Sequence, residues 1–249
     1  MGRRQITACI GVVAGGLTLA LLLAGHSNAG EGPDRESASP SGAAPTLRIC
    51  LLPLGEYDGD LLTPTTRGIE HLFGFEVSVL PGQEMPEKAY YKPRKRWRAD
   101  DIVDHITENV VPDSGCFAVI GFTALDISTT KGKHKDWGIL GLGMVGGTAG
   151  VVSSYRMTRR KHRGKKASRE LAAKRAVKVT NHELGHVLGL DHDNRRKGCL
   201  MNDAGGTIRT VDRESGLLCA PSRRFIERTH GVTLPVLDRI DWRYVLASE

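Results

Sequence analysis

Aromatic residues make up only 5% of this 249-residue chain, and no internal repeat of solenoid period is present, so repeat arrays are excluded. Five cysteines are too few for a disulfide-dense miniprotein, and the composition fits neither a collagen-like nor a wholly disordered chain. Beyond the first thirty residues, no apolar run is long enough to span a bilayer. What is present is 40% hydrophobic residue content on a length that suits one ordinary domain with extras, or two small lobes.

The first thirty residues stand apart from the rest. Arg3 and Arg4 precede an apolar stretch from about Ala8 to Ala24, which ends in Ser27-Asn28-Ala29-Gly30. A basic head, an apolar middle and small exit residues describe a secretory signal peptide over 1–29, with an uncleaved membrane anchor as the competing reading. Cys9 lies inside the apolar stretch, which argues against a lipoprotein. Ile6 stands where a myristoylation signal needs Ser or Thr. Residues 30–45 (GEGPDRESASPSGAAP) cannot bury enough apolar surface to order themselves and read as a flexible linker. The folded part is therefore 46–249, secreted or held at the cell envelope. Its four cysteines, Cys50, Cys116, Cys199 and Cys219, are expected to be oxidised, with three possible connectivities.

The formal charge of +7 makes nucleic acid or an anionic membrane the first partner to consider. Its distribution changes that view. Arg156–Lys178 holds eleven Lys or Arg and one acid, Glu170, and without it and the signal the chain is acidic. The segment has no interleaved aromatics on which bases could stack, so nucleic acid is not an expected partner. It reads as a solvated loop and helix face, or as a patch for anionic polymers, lipids or an acidic substrate.

Apolar runs stopped by Pro or Gly predict strands at Leu47–Leu54, Phe75–Leu80 and Cys116–Phe122, and further strands at Trp137–Met144 and Ala149–Tyr155. Helices are predicted over Thr63–Phe73, capped by Thr63, and over Ala99–Val110, whose Ile102, Val103, Ile106 and Val110 share a face. A long helix follows over Ala167–Leu190, then short ones near Ser222–Thr229 and Pro235–Ala247. The fold class is α+β: a mixed sheet with packed helices, an N-terminal lobe (46–190) and a smaller C-terminal lobe (191–249).

Residues 182–192 read HELGHVLGLDH. His182 and His186 are four apart on a helix, so both imidazoles project from one face and can share a metal. Glu183 is the next residue round, placed to take a proton from an activated water. Gly189 can adopt φ > 0, end the helix and turn the chain so that His192 arrives as a third ligand. Three neutral imidazoles suit Zn²⁺ with a position left open for water. HExxH alone also occurs in helices that bind nothing. With Gly189 and His192 added, chance produces the pattern in roughly one chain of this size in ten thousand.

This is the metzincin signature. Cys199-Leu200-Met201, followed seventeen residues later by Cys219-Ala220-Pro221-Ser222, resembles the archaemetzincins, as do LLPLG, VIGFTALDIS and VVSSYRM upstream. The resemblance spans most of residues 47–230. It implies a zinc peptidase with His182, His186 and His192 as ligands, Glu183 as general base and Met201 in a Met-turn beneath the metal. It also implies an edge strand that pairs with extended peptide, with Gly146–Ser154 as the candidate here.

The chain departs from that family where four cysteines hold a second, structural zinc. Asp193 and Ser222 stand at two of those positions, and five residues separate Asp193 from Cys199. Two thiolates, a carboxylate and a hydroxyl make a poor zinc site. One catalytic zinc is therefore expected without a structural one. Cys199 and Cys219 are expected to form a disulfide, with Cys50–Cys116 bridging adjacent strands. The function expected is an exported zinc peptidase, endo- or aminopeptidase undecided, acting on peptide or protein as a monomer. The competing reading is a catalytically weak, zinc-holding protein that docks on anionic surfaces through 156–178. The other histidines show no ligand spacing.

Overall fold

Strand β1 (Arg48–Pro53) is buried on both faces, because strands flank it and helices cover it above and below. After it come α1 (Gly59–Phe73), β2 (Glu76–Val79), β3 (Tyr90–Tyr91), β4 (Arg96–Arg98), α2 (Ala99–Asn109) and α3 (Val111–Ser114). Next are β5 (Ala118–Thr123), β6 (Ile127–Lys131), β7 (His134–Gly138), β8 (Gly141–Gly143) and β9 (Ala149–Ser153). The chain finishes with α4 (Arg169–Val187), α5 (Ile208–Arg213), α6 (Ala220–His230) and α7 (Trp242–Val245). This computed structural model describes residues 46–158, 167–205 and 207–247. Residues 1–29 and 30–45, expected to be a signal peptide and a linker, and 159–166 of the basic segment lie outside the described residues.

The main sheet has the order β2-β1-β5-β9-β8. All its pairs are parallel except β8–β9, which is antiparallel with Leu142 opposite Val151. Alternation along the strands sorts the core into two layers. Ile49, Leu51, Ile120, Phe122 and Val152 pack with α1 and α4, whereas Cys50, Leu52, Val119 and Val151 pack with α2. Leu200, Met201, Ile226, Leu234 and Val245 join the α1–α4 layer. Helices α1 and α4 approach closely at Gly68, where a methyl group would sit 2.4 Å from Val177 Cγ1. A second sheet, β3-β4-β6-β7, flanks the first.

The α+β class, the buried strands and the long helix are as the sequence leads one to expect. Helix α1 starts a turn before Thr63, after Asp58, because Leu61 is buried and draws the first turn onto the core. The predicted strand Trp137–Met144 is divided into β7 and β8, as the chain crosses there from one sheet to the other. Only Trp242–Val245 of the last predicted helix is helical; the chain before it has no regular structure and buries Ile240. Gly146–Ser154 is not an edge: β9 lies between β5 and β8, and the edge on this side of the sheet belongs to Gly141–Gly143, with β2 at the other.

Both disulfides are formed, Cys50–Cys116 with Cα atoms 6.0 Å apart and Cys199–Cys219 with Cα atoms 5.5 Å apart. They close spans of 66 and 20 residues. By loop-closure entropy such links stabilise by about 4 and about 3 kcal/mol. Thiol titration of the denatured chain lacking 1–29 is expected to find no free thiol. Cys50→Ser with Cys116→Ser should lower the unfolding free energy by a few kcal/mol in a denaturant titration. Two or more free thiols in the unmodified protein would rule out the pairing.

Candidate active site

Helix α4 ends in a pair of hydrogen bonds that turn the chain back on itself. Leu190 N donates to Gly185 O at 3.0 Å and Gly189 N donates to His186 O at 2.8 Å, with Gly189 at φ +91°. The reversal carries His192 over the face that holds His182 and His186. His192 Nε2 lies 3.2 Å from Nε2 of each of the other two. A tetrahedral zinc at ordinary Zn–N lengths needs ligand nitrogens about 3.3 Å apart, and these two separations match it. All three ligand nitrogens lie within 4.8 Å of one another, so the side chains can hold that ion.

The other ring nitrogens fix the tautomers. His182 Nδ1 donates to Leu200 O at 2.6 Å and His186 Nδ1 to Leu190 O at 2.7 Å. A carbonyl can only accept, so each Nε2 keeps its lone pair for a cation. Burial, and after it the neighbouring His186, push His182 down to about 4. Burial also lowers His186. Both imidazoles are therefore neutral at neutral pH, the form that binds metal.

Glu183 lies under the edge strand. It is 7% exposed, and burial raises its carboxyl to about 8, against a hydrogen bond from the Gly143 backbone N–H. The strand can lie so close only because it reads Gly-Leu-Gly. A methyl at Gly141 would sit 2.6 Å from Glu183 Cγ, and one at Gly143 would sit 2.3 Å from the Glu183 carbonyl oxygen. Sequence reading did not single out these glycines, although their alternation before β9 was visible.

Met201 is fully buried below the helix, and a methyl at Gly185 would sit 2.5 Å from its Sδ. Its loop is tied to α4 by the His182–Leu200 bond and to the following segment by Leu200 N to Leu217 O at 2.8 Å. The Cys199–Cys219 disulfide closes the same loop. Asp193 turns to Arg195, Oδ1 to Nε 2.8 Å, and Ser222 Oγ lies 3.3 Å from Cys219 Sγ.

The four residues line a cleft of about 400 Å³ that runs under β8 and past Trp137 on the second sheet. Along α4 it reaches Lys178, one turn before His182, and Glu214 just beyond α5. Burial raises the Glu214 carboxyl to about 7, with the Lys178 charge opposing the shift. Sequence reading missed both. The spacing 178, 182, 186 could have placed Lys178 on the ligand face, whereas nothing local marks Glu214.

The sequence profile of peptidase family M54 matches residues 82–228, more than half of the chain. The chain belongs to peptidase family M54. It is 30% identical over 183 residues to the archaemetzincin of Halobacterium salinarum, covering 72% of this chain and 99% of that one. It is likewise 30% identical over 173 residues to the archaemetzincin of Archaeoglobus fulgidus, with 70% and 94% covered. The crystal structure of the Archaeoglobus fulgidus archaemetzincin complexed with malonate superposes with a TM-score of 0.60 at 26% identity, over 72% of this chain and 99% of that one. The Methanopyrus kandleri archaemetzincin shares the fold, with a TM-score of 0.61 at 24% identity over 77% and 98%. This M54 member is thus a zinc metallopeptidase of the archaemetzincin family.

The described cations of the basic segment are engaged within the fold of the M54 domain. Arg175 is 4% exposed and grips Asp212 with two bonds of 2.7 Å, and Arg156 binds Asp126 at 2.9 Å. Lys174 pairs with Glu170 at 2.6 Å and Arg169 with Asp60 at 3.0 Å.

Two outcomes follow from this geometry. Gly143→Ala forces β8 away from α4 and is expected to cut peptidase activity at least tenfold in a fluorogenic peptide assay. Glu214 has its carboxyl raised above the ordinary 4.5, so the unfolded chain ionises first and stability falls as pH rises from about 4.5 to about 7. Glu214→Gln removes that loss. Its thermal unfolding should match the parent near pH 4.5 and show a gain of about 3 kcal/mol above pH 7.

Proposed function

We propose that the chain is an exported peptidase in which His182, His186 and His192 hold one zinc ion and Glu183 is the general base. The observation that carries this reading is the meeting of three Nε2 atoms beside a buried carboxyl that lines the same cleft. Bound zinc supplies a Lewis acid that activates water and polarises the scissile carbonyl.

The remaining steps belong to the chain itself. Substrate enters extended, and its backbone pairs with the free edge of Gly141–Gly143, a form of β-augmentation. Glu183 lines the cleft beside the three imidazoles, within reach of a water held among them, which is the position a general base needs. It accepts the proton of the attacking water and returns it to the leaving amine. The Gly143 N–H holds the carboxylate in place as it changes state. The Leu200 and Leu190 carbonyls keep His182 and His186 in the tautomer that leaves Nε2 free. Met201 supports the helix from below at Gly185. Export is supported by the Arg3–Gly30 segment and by two disulfides, which persist in oxidising compartments. The competing reading, docking on an anionic surface through 156–178, has less support, because Arg156, Arg169, Lys174 and Arg175 each pair with a carboxylate of the chain.

Glu183→Ala is expected to reduce turnover of a peptide library by several orders of magnitude while bound zinc stays near one per chain by elemental analysis. Chelation should abolish the wild-type activity, and zinc should restore it. A wild type that holds zinc yet cleaves nothing at neutral pH would favour the binding reading.

A further inference from the structure

The cleft continues beyond the three histidines to a carboxyl group that the mechanism does not use. Glu214 is 6% exposed and lines this end of the cleft, and among the described residues its Oε1 has no hydrogen-bond partner. An unpaired buried carboxyl oxygen is costly, and a ligand that donates to it relieves that cost. Val179 from α4 and Val211 from α5 line the cleft with it and supply aliphatic surface. Lys178 lies alongside but bonds elsewhere: its ammonium donates to Val211 O at 3.0 Å and to Glu214 O at 2.5 Å, both backbone carbonyls. It leaves the orphaned oxygen unmet. Aliphatic surface beside an unsatisfied acceptor is complementary to an aliphatic stem with a cationic donor at its tip.

We infer that Glu214 is a specificity-determining residue, forming the floor of a subsite that takes the side chain of a Lys or Arg next to the scissile bond. This rests on the peptidase reading above. Position supports it: Lys178 and Val179 stand one turn before His182 on the helix, so the subsite adjoins the reacting centre. Glu214 binds the substrate's side chain and takes no part in proton transfer at the carbonyl. Its effect is on the choice of substrate.

The test compares lysine with norleucine, which keeps the stem and lacks the ammonium, at the two positions flanking the cleaved bond in a peptide library. The zinc-loaded wild type is expected to favour lysine at least tenfold in kcat/KM at one of them. In Glu214→Gln the ratio should fall to within about twofold of unity. Calorimetric binding of Ala-Ala-Lys-Ala-Ala and its norleucine counterpart to zinc-loaded Glu183→Ala should show the same preference, lost when Glu214→Gln is added. No lysine preference in the wild type, its survival in Glu214→Gln, or a preference for Asp or Glu read by Lys178 overturns the inference. Cleavage without a lysine preference overturns the subsite and leaves the peptidase standing. Binding preference without any wild-type cleavage overturns the peptidase and leaves the subsite.

Discussion

The edge strand meets the ligand-bearing helix backbone to backbone at Gly143, and the site is built on that contact. The distance between β8 and α4 decides whether Glu183 is roofed or open. It also decides whether the free strand edge is level with the three imidazoles. Any side chain at Gly141 or Gly143 would lift the strand and expose the carboxyl to water. Exposure would lower the Glu183 carboxyl back towards its ordinary acidity. Conformational freedom is not what these two glycines supply. They supply the absence of atoms.

The second constraint is the turn after α4. Its two hydrogen bonds end the helix, aim His192 and present the Leu190 carbonyl to His186. Three functions are met by six consecutive residues, Gly185–Leu190. This compactness explains why the motif is so readable in sequence: helix periodicity, a positive-φ glycine and a histidine three residues later are all local signals. The Met201 loop is a longer-range partner. It reaches the site because Leu200 accepts from His182 and because its chain is pinned to the segment around Leu217 and Cys219.

Much of the fold was legible where burial imposes a pattern. The buried strands around Cys50 and Val119 and the helix Ala99–Asn109 announce themselves through apolar runs and a periodic face. What was not legible depends on neighbours distant in sequence. Trp137–Met144 reads as one strand, yet the chain changes sheets at Ile139–Leu140, which no local property records. Gly146–Ser154 is expected at the edge from the family resemblance alone, whereas the place of β9 between β5 and β8 is set by topology. Glu214 looks like any charged residue following a short helix. Only the fold buries it against Lys178 and the cleft.

The Cys199–Cys219 bond also separates two kinds of dependence. The archaemetzincin pattern places four cysteines around this loop, where a captured ion would make its integrity follow the supply of a free metal. Here a covalent link spans the loop, with Ser222 beside Cys219 and Asp193 turned to Arg195. The loop's closure is then governed by the electron potential of its surroundings and not by the chemical potential of zinc. The platform below the three imidazoles can stay assembled through cycles of metal loss and recapture, and scarcity of the ion becomes a matter of occupancy alone.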